Sequence, residues 1–281
     1  MRTVALFLVA IGCDRPASPA ASGAGILDSR GKQVPLPAHP CRIVSLAPST
    51  TELLYEVGAG DQIAGVTAYC DFPPAARTKP RVGDLVLDPE RLSALRPDLI
   101  VTSWTLSPKT SSDLETRGYA VFGVDPQSFE EIELALETLG RITGHEREGR
   151  TAAEALRARV QAIHAADGPT FYFEHSADPL GTTGPDTYTG RALRRAGGRN
   201  IFEGGWHNAI DWEVVMARDP EVILIAHDRR ESLERRAGWK ELRAVRKGRV
   251  YFVPKEHYVY PTPRLAEGLE EAWRLFHEKN P

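Results

Sequence analysis

The sequence predicts an α/β protein in which two Rossmann-like lobes with parallel sheets are joined by a single long backbone α-helix. Three observations predict this fold. Strand patterns alternate with helical patterns in both halves of the chain, a segment of helical composition at 128–166 separates the halves, and one helix–strand segment occurs twice. The length of 281 residues suits two domains rather than one.

The first 25 residues predict export and anchoring. Residues 1–12 have one positive charge and an apolar run that ends at a small glycine before Cys13, a pattern typical of a lipoprotein signal peptide. Residues 13–25 are rich in Pro, Gly and Ser, which predicts a flexible tether. We therefore expect a periplasmic or cell-surface protein anchored by lipidated Cys13; a chance apolar N-terminus with a buried cysteine is the alternative.

Residues 26–127 form the predicted N-terminal α/β lobe. A small hairpin at 26–38 precedes a strand, a loop and a helix that Ser49 or Thr50 caps and Gly58 ends. Strands separated by helices at this spacing predict a parallel sheet with both faces covered. The predicted strands are Arg42–Leu46, Ile63–Tyr69, Asp98–Thr102 and Ala120–Val124, and the later helices are Pro89–Leu95 and Pro108–Arg117.

A helical linker at 128–168 contains the predicted backbone helix, with an interruption at Thr143–His145. The C-terminal α/β lobe follows at 169–281, where strands and helices alternate again. Its predicted strands are Thr170–Glu174, Glu221–Ala226 and Val250–Val253, and its helices are Thr189–Ala196, Asp211–Arg218, Trp239–Val245 and Thr262–Glu278.

The repeated segment is DPERLSALRPDLIV at 88–101 and DWEVVMARDPEVIL at 211–224. Each copy opens with an Asp suited to cap a helix, and a Glu follows in the first turn, where the helix dipole favours negative charge. A helix that leads into a parallel strand begins at the carboxyl edge of the sheet, where ligands bind. Glu90 and Glu213 are therefore predicted on matching rims of the two lobes, as a pair of exposed acidic side chains suited to a partner with two basic sockets.

Cysteine positions argue against an internal disulfide between Cys41 and Cys70. Cys41 opens one predicted parallel strand and Cys70 ends the next, so the two should lie at opposite sheet edges, farther apart than the roughly 7 Å that a disulfide allows. We therefore predict that these two residues do not pair.

Composition excludes several functional classes. A net charge of -3 lacks the basic excess of a nucleic-acid-binding surface. The chain has eight histidines but no metal-ligand spacing, and it lacks a P-loop and the GxSxG and GxGxxG motifs. We therefore predict no enzymatic activity, no bound metal and no cofactor, with a metal-dependent hydrolase as the least favoured alternative.

Aromatic and polar side chains concentrate in the loops that follow predicted strands. Such side chains can line a ligand-binding cleft, because each aromatic ring buries a large apolar area. His175, His207 and His257 are interpreted as donors to polar ligand groups, with coordination of a metal carried inside the ligand as the less favoured alternative. The candidates are Tyr69, Asp71, Phe72, Trp104, Glu174, His175, Tyr188, Trp206, His207 and the run Glu256, His257, Tyr258, Val259 and Tyr260.

Four stretches resemble the substrate-binding proteins of ABC importers whose two lobes are joined by a backbone helix. They are RIVSLAPSTTELL at 42–54, GVTAYCDFPP at 65–74, the first copy of the repeat, and GGRNIF at 197–202. That family takes up cobalamin, iron–siderophores and haem, and the similarity is greatest to its cobalamin-binding members. The resemblance implies a two-lobe fold, a small-molecule ligand and a permease dimer as partner for a monomeric receptor.

The resemblance also implies roles for individual residues. Tyr69 matches a tyrosine that contacts the corrin, Trp104 matches a pocket tryptophan, and 256–260 matches an acidic–aromatic loop that closes on the ligand. Glu90 and Glu213 match the glutamates that dock to arginines of the permease. Leu85 and Glu174–His175 replace aromatic residues of the cobalamin binders, so another corrinoid, haem or a ferric chelate stays open as the ligand.

Overall fold

The computed structural model describes residues 25–84, 86–103 and 108–277. The architecture is α/β. A two-stranded antiparallel hairpin precedes one parallel and one mixed β-sheet, and two long helices separate these larger sheets in sequence. This confirms the predicted fold class. Leu85, Trp104 and Cys13 lie outside the described residues, so the expectations for them remain predictions.

The N-terminal lobe is built on a four-stranded parallel sheet in the order β4-β3-β5-β6. Ile43 packs on one face and its neighbour Val44 on the other, so both faces are covered as predicted. The elements are β1 (Ile26–Leu27), β2 (Gln33–Val34), β3 (Ile43–Ser45), α1 (Pro48–Glu56), β4 (Ile63–Val66), α2 (Pro89–Ala94), β5 (Leu99–Thr102), α3 (Pro108–Thr116) and β6 (Val121–Gly123).

The ends of α1 show how local sequence sets this lobe. Pro48 occupies the first helical position, where its missing N–H costs no hydrogen bond. The predicted cap at Ser49 or Thr50 is wrong, because Ala47 is the N-cap residue and the helix already includes both hydroxyl residues. Gly58 follows the helix with φ of 85°, which confirms it as the residue that ends α1.

The linker consists of two helices that form a hairpin, and the second of them is the long backbone helix that leads to the C-terminal lobe. Helices α4 (Phe129–Thr143) and α5 (Glu146–Ala162) are separated by Gly144, whose φ is 79°. The helices run antiparallel, because Gly140 approaches Gly149 and Glu133 pairs with Arg157. The interruption at 143–145 is confirmed, and the correction is that the chain reverses there.

Helix α5 extends from one lobe to the other. At the turn, Gln62 of the N-terminal lobe donates to the carbonyl of Thr143 at 2.9 Å. At the open end, Arg195 of the C-terminal lobe donates to the carbonyl of Val160 at 3.1 Å. One continuous apolar core includes buried residues of both lobes and of both helices. The hairpin therefore joins the lobes through packing as well as through the chain.

The C-terminal lobe has a mixed sheet, in the order β10-β8-β7-β11-β12, with β9 also pairing with β7. Its strands β7, β9, β11 and β12 are parallel, whereas β8 and β10 are antiparallel to their neighbours. The elements are β7 (Thr170–Ala177), β8 (Leu180–Thr183), α6 (Tyr188–Arg195), β9 (Arg199–Asn200), β10 (Trp206–His207), α7 (Trp212–Arg218), β11 (Val222–Ile225), α8 (Arg230–Glu234), α9 (Arg243–Arg246), β12 (Val250–Phe252) and α10 (Leu265–His277).

The antiparallel part of this sheet corrects the prediction of two wholly parallel sheets. Ala177 pairs with Leu180 across a two-residue turn, Asp178–Pro179. A turn this short can only return the chain antiparallel, because a parallel connection needs a dozen or more residues. Residues Leu180–Thr183 therefore form a strand, β8, that the sequence did not predict.

Candidate functional site

The carboxyl edges of the two sheets meet at an ion pair between the lobes. Glu52 lies in α1, directly after β3, and Arg264 lies between β12 and α10. The Arg264 guanidinium binds both carboxylate oxygens of Glu52, with Nε to Oε2 at 2.9 Å, and Thr262 donates to the same Oε2 at 3.0 Å. Burial raises the pKa of the Glu52 carboxyl, while Arg264 and Thr262 oppose that shift.

Tyr69 and Phe72 form an exposed aromatic wall on the N-terminal lobe. Tyr69 is 53% exposed and Phe72 is 43% exposed, although both are large apolar side chains. Arg81 anchors the loop that carries these two rings, because its guanidinium donates to the carbonyls of Thr67 and Cys70 at 2.6 and 3.0 Å. Two exposed rings on a fixed loop provide apolar surface for a ligand.

A row of three aromatic rings lies on the C-terminal lobe. Trp206 contacts His175 edge-on, with ring centroids 5.2 Å apart, and contacts Tyr188 with centroids 5.5 Å apart. Trp206 remains 37% exposed. The structure thus brings together three of the predicted candidates, His175, Tyr188 and Trp206.

His175 has a defined tautomer. Its Nε2 lies 3.2 Å from the carbonyl oxygen of Thr182, which can only accept, so Nε2 carries the proton and Nδ1 is the acceptor nitrogen. Burial lowers the pKa of His175 below its ordinary value. The imidazole is therefore neutral at neutral pH and presents one lone pair.

The side chains of segment 256–260 do not all lie at the candidate site, although the sequence predicted that they would. Glu256 is exposed, and His257 pairs with Glu267 at 2.9 Å. Tyr258 is fully buried in the core and its hydroxyl donates to Glu271 at 3.0 Å, so the structure does not bring this side chain to the ligand-facing surface. The carbonyl of Val259 accepts a hydrogen bond from the Tyr188 hydroxyl at 2.7 Å.

Tyr260 lies beside the opposite lobe. Burial raises the pKa of its hydroxyl, and the charges that act on it include Glu52 and Asp71 of the N-terminal lobe. Burial also raises the pKa of the Tyr188 hydroxyl, and Tyr260 and Asp125 raise it further. Tyr260 therefore lies near charged groups of the N-terminal lobe and near Tyr188 of its own lobe. We call the surface formed by Tyr69, Phe72, His175, Tyr188, Trp206 and Tyr260 the interlobe face.

Glu174 is not a ligand-facing group but the centre of a buried ion cluster. Arg236 donates to both of its carboxylate oxygens at 2.7 Å, and His227 Nε2 lies 2.7 Å from Oε1. Burial acts to raise the pKa of Glu174, but Arg236 and His227 outweigh it and lower the pKa below the ordinary value. The cluster fixes the end of β7 next to His175.

Glu90 and Glu213 are both exposed in the first turns of α2 and α7. Each helix precedes a parallel strand, so each Glu lies at the carboxyl edge of its sheet. Asp88 accepts from the Arg91 amide and is a side-chain cap as predicted, whereas Asp211 occupies the same position without a side-chain cap bond. Both glutamates are therefore accessible to solvent.

Cys70 is buried and is not in a disulfide, which confirms that Cys41 and Cys70 do not pair. Among the residues that the structure describes, no group of His, Cys, Asp and Glu has the arrangement of a metal site. Within the same ranges, no helix is both long and apolar enough to cross a membrane.

The sequence did not single out Arg264, and it did not predict the packing of Tyr188. Arg264 is missed because its partner Glu52 lies 212 residues away in sequence. Tyr188 appeared among the strand-end aromatics, but its packing on Trp206 depends on β8 and β10, which the sequence did not predict. Two described cavities lie elsewhere, one of about 690 Å³ beside the hairpin turn and one of about 360 Å³ between α2 and α3.

Comparison with known proteins agrees with this geometry. Residues 43–257 match the family model described as periplasmic binding protein. The chain is 30% identical to an uncharacterized ABC transporter substrate-binding lipoprotein, YvrC, of Bacillus subtilis, over 95% of this chain and 93% of that protein.

Two solved structures share the fold. The periplasmic vitamin B12-binding protein of Vibrio cholerae superposes with a TM-score of 0.77 at 25% identity, covering 85% of this chain and 97% of that one. A periplasmic heme-binding protein of Pseudomonas aeruginosa gives 0.76 at 25% identity, covering 86% and 94%. Two lobes whose carboxyl edges meet, and a family match over most of the chain, lead to one conclusion: this chain belongs to the periplasmic binding protein family, the substrate-binding components of ABC transporters.

Proposed function

We propose that this protein captures a corrinoid, cobalamin first among them, at the interlobe face and delivers it to an ABC permease. The observation that carries the proposal is the pair of exposed aromatic surfaces, Tyr69 with Phe72 on one lobe and Trp206 on the other, at sheet edges that meet. A corrinoid is broad and partly apolar, and it gains most from rings on both sides. The vitamin B12-binding protein of similar fold supports this ligand class.

Haem or a ferric siderophore is the second candidate ligand. The specific observation is the neutral imidazole of His175, whose Nδ1 is an acceptor beside an exposed tryptophan. Histidine and tyrosine are axial ligands of haem iron in other proteins. The similarity to a heme-binding protein of Pseudomonas aeruginosa supports this alternative.

Delivery is proposed to depend on Glu90 and Glu213. Both carboxylates are exposed at helix starts on the carboxyl edges of the two sheets, where a permease dimer can offer one basic socket to each lobe. Exposed charges of this kind govern register and encounter rate more than ligand affinity. The protein binds and releases its ligand without covalent chemistry, and we propose that it acts as a monomer.

The protein is proposed to work outside the cytoplasmic membrane, held by a lipid on Cys13. Its family and the lipoprotein name of the Bacillus subtilis relative support an extracytoplasmic location. Metabolic labelling with a fatty acid, compared between wild type and Cys13→Ala, tests the anchor. Label in the wild type alone supports it, and equal label in both contradicts it.

Calorimetric titration of the purified protein with cobalamin, cobinamide, haemin and a ferric siderophore tests the ligand class. We expect tight binding of cobalamin or cobinamide and weak or absent binding of the other two. Tight binding of haemin alone would contradict a corrinoid as the ligand and support haem instead. Binding of none of the four would contradict the corrinoid and the haem proposals together.

A further inference from the structure

The buried ion pair between the lobes also touches the aromatic wall of the N-terminal lobe. The Arg264 guanidinium that binds Glu52 lies over the ring of Phe72, with 4.0 Å between Cζ and the ring centroid. We propose that Arg264 is a positioning residue that holds the loop bearing Tyr69 and Phe72 against the C-terminal lobe, and so sets the geometry of the interlobe face.

The burial of the pair indicates a fixed joint rather than a loose surface contact. The Arg264 side chain is 15% exposed and that of Glu52 is 5% exposed. The carboxylate receives three hydrogen bonds, from Nε and Nη2 of Arg264 and from Thr262. A buried carboxylate bound this way tolerates little displacement, because moving either partner leaves a charge without its partner in a region of low polarity.

The packing of Phe72 gives the pair its connection to the site. Phe72 is 43% exposed, so the hydrophobic core does not hold its ring. Within the described ranges, Arg81 fixes the same loop from the N-terminal lobe through the carbonyls of Thr67 and Cys70. Arg264 contacts the same loop from the C-terminal lobe, through the ring of Phe72. The loop that carries Tyr69 is therefore held from both lobes. Arg77 and Arg81 donate to its carbonyls from the N-terminal lobe, and Arg264 stacks on Phe72 from the C-terminal lobe.

The chemistry of the contact requires arginine. A guanidinium is planar, so its edge can form two parallel hydrogen bonds to a carboxylate while its face stacks on an aromatic ring. A lysine at this position keeps the charge but cannot form both contacts at once. Replacing Arg264 by lysine therefore shows whether the positive charge alone is enough or whether both guanidinium contacts are needed.

The test compares Arg264→Lys and Phe72→Leu with a matched control, Arg159→Lys. Arg159 of α5 also binds both carboxylate oxygens of a glutamate, Glu270 of α10, at 2.8 and 3.0 Å. That pair lies in the hairpin and the C-terminal lobe, and it touches no residue of the interlobe face. Phe72→Leu leaves the ion pair intact and removes only the aromatic face, so it stays informative if Arg264→Lys folds poorly.

The first readout is the distance between the lobes, which needs no ligand. Spin labels on p-acetylphenylalanine introduced at Ala75 and Lys255, both exposed, report the distance between the aromatic wall and the C-terminal lobe without labelling cysteines. We expect a broader distance distribution in Arg264→Lys and in Phe72→Leu, and a wild-type distribution in Arg159→Lys. Unchanged distributions in Arg264→Lys and Phe72→Leu would overturn the proposal.

The second readout is affinity for cobalamin, and this part rests on the proposed function. We expect the dissociation constant to rise about tenfold in Arg264→Lys and to stay within about twofold in Arg159→Lys. A lower melting temperature with an unchanged dissociation constant would reduce Arg264 to a structural role and overturn the positioning proposal. If no ligand of the panel binds wild type, the function proposal fails, and the distance measurement still decides this one.

Discussion

The indole of Trp206 lies between the imidazole of His175 and the phenol of Tyr188, at centroid distances of 5.2 and 5.5 Å. Both contacts are edge-on or steeply tilted, with interplanar angles of 80° and 62°. Such arrangements are favourable because the positive ring edge meets the negative face. The row therefore holds a partly exposed tryptophan in one orientation, ready for a flat ligand.

Replacing Trp206 by Ala is expected to weaken ligand binding about 30-fold or more, because a fixed aromatic anchor at the centre of a binding surface contributes more than its neighbours. Calorimetric titration with cobalamin measures the change. The control is Leu134→Ala, since Leu134 is 61% exposed on the helical hairpin and belongs to no part of the interlobe face. Equal affinities of Trp206→Ala and Leu134→Ala would remove Trp206 from the site.

Replacing Glu90 and Glu213 together by Ala is expected to abolish ligand-stimulated transport while leaving the dissociation constant unchanged. The reason is that both carboxylates lie in exposed first turns of helices, outside the aromatic row. Transport into proteoliposomes that contain the cognate permease measures the effect. Glu231→Ala is the control, because Glu231 is likewise exposed in the first turn of a helix, α8. A loss of ligand affinity instead would place the two glutamates in the binding site.

Replacing Glu174 by Gln is expected to lower the free energy of unfolding by about 3–5 kcal/mol, because Arg236 then loses its charged partner inside the protein. Urea denaturation at neutral pH measures this. Asp178→Asn, at an exposed pair with Arg229, should change it by about 1 kcal/mol or less. Comparable losses in both variants would contradict a special role for the buried cluster.

The same variant has a predicted pH dependence. The folded pKa of Glu174 lies below its ordinary value of 4.5, so its contribution is complete above pH 4.5 and is lost as the pH falls through the folded value. The difference in unfolding free energy between wild type and Glu174→Gln should therefore narrow below pH 4.5. Denaturation at a series of pH values checks this, and a difference that widens in acid would contradict it.

His175 is expected to make folding sensitive to mild acid. Burial keeps its folded pKa below 6.5, so the favourable contribution of the neutral ring is present above pH 6.5 and is lost as the pH falls through the folded pKa. His175→Gln should lose less unfolding free energy than wild type between pH 7.5 and 5. His164→Gln, at an exposed position, is the control. Equal losses of unfolding free energy in wild type and His175→Gln would contradict a lowered pKa of His175 as the source of this acid sensitivity.

Local sequence patterns predicted the parts of the fold that depend on neighbouring residues. The apolar runs around Ile43 and Leu99 gave the parallel sheet of the N-terminal lobe, and the glycine at 144 marked the break in the linker. Sequence did not show that the chain reverses at that break, because reversal depends on the close approach of Gly140 and Gly149. The turn at Asp178–Pro179 was also missed, so strand β8 and the mixed sheet were not predicted.

In the candidate site, too, local sequence patterns identified some residues and missed those that depend on long-range contacts. Tyr69, His175 and Trp206 were found because they follow or border strands at the carboxyl edge of a sheet. Tyr258 was included with its neighbours in a polar–aromatic run, yet its ring packs against Phe173 in the core, at a centroid distance of 5.5 Å. The pairing of Glu52 with Arg264 is a long-range contact that no local pattern contains.

A crystal structure of the protein with cobalamin bound tests the central claim most directly. We expect the corrin ring between the loop of Tyr69 and Phe72 and the row of His175, Trp206 and Tyr188, with Glu90 and Glu213 free in solvent on either side. Cobalamin bound instead in the 690 Å³ groove beside the hairpin turn, or on an outer face of either lobe, would contradict the claim.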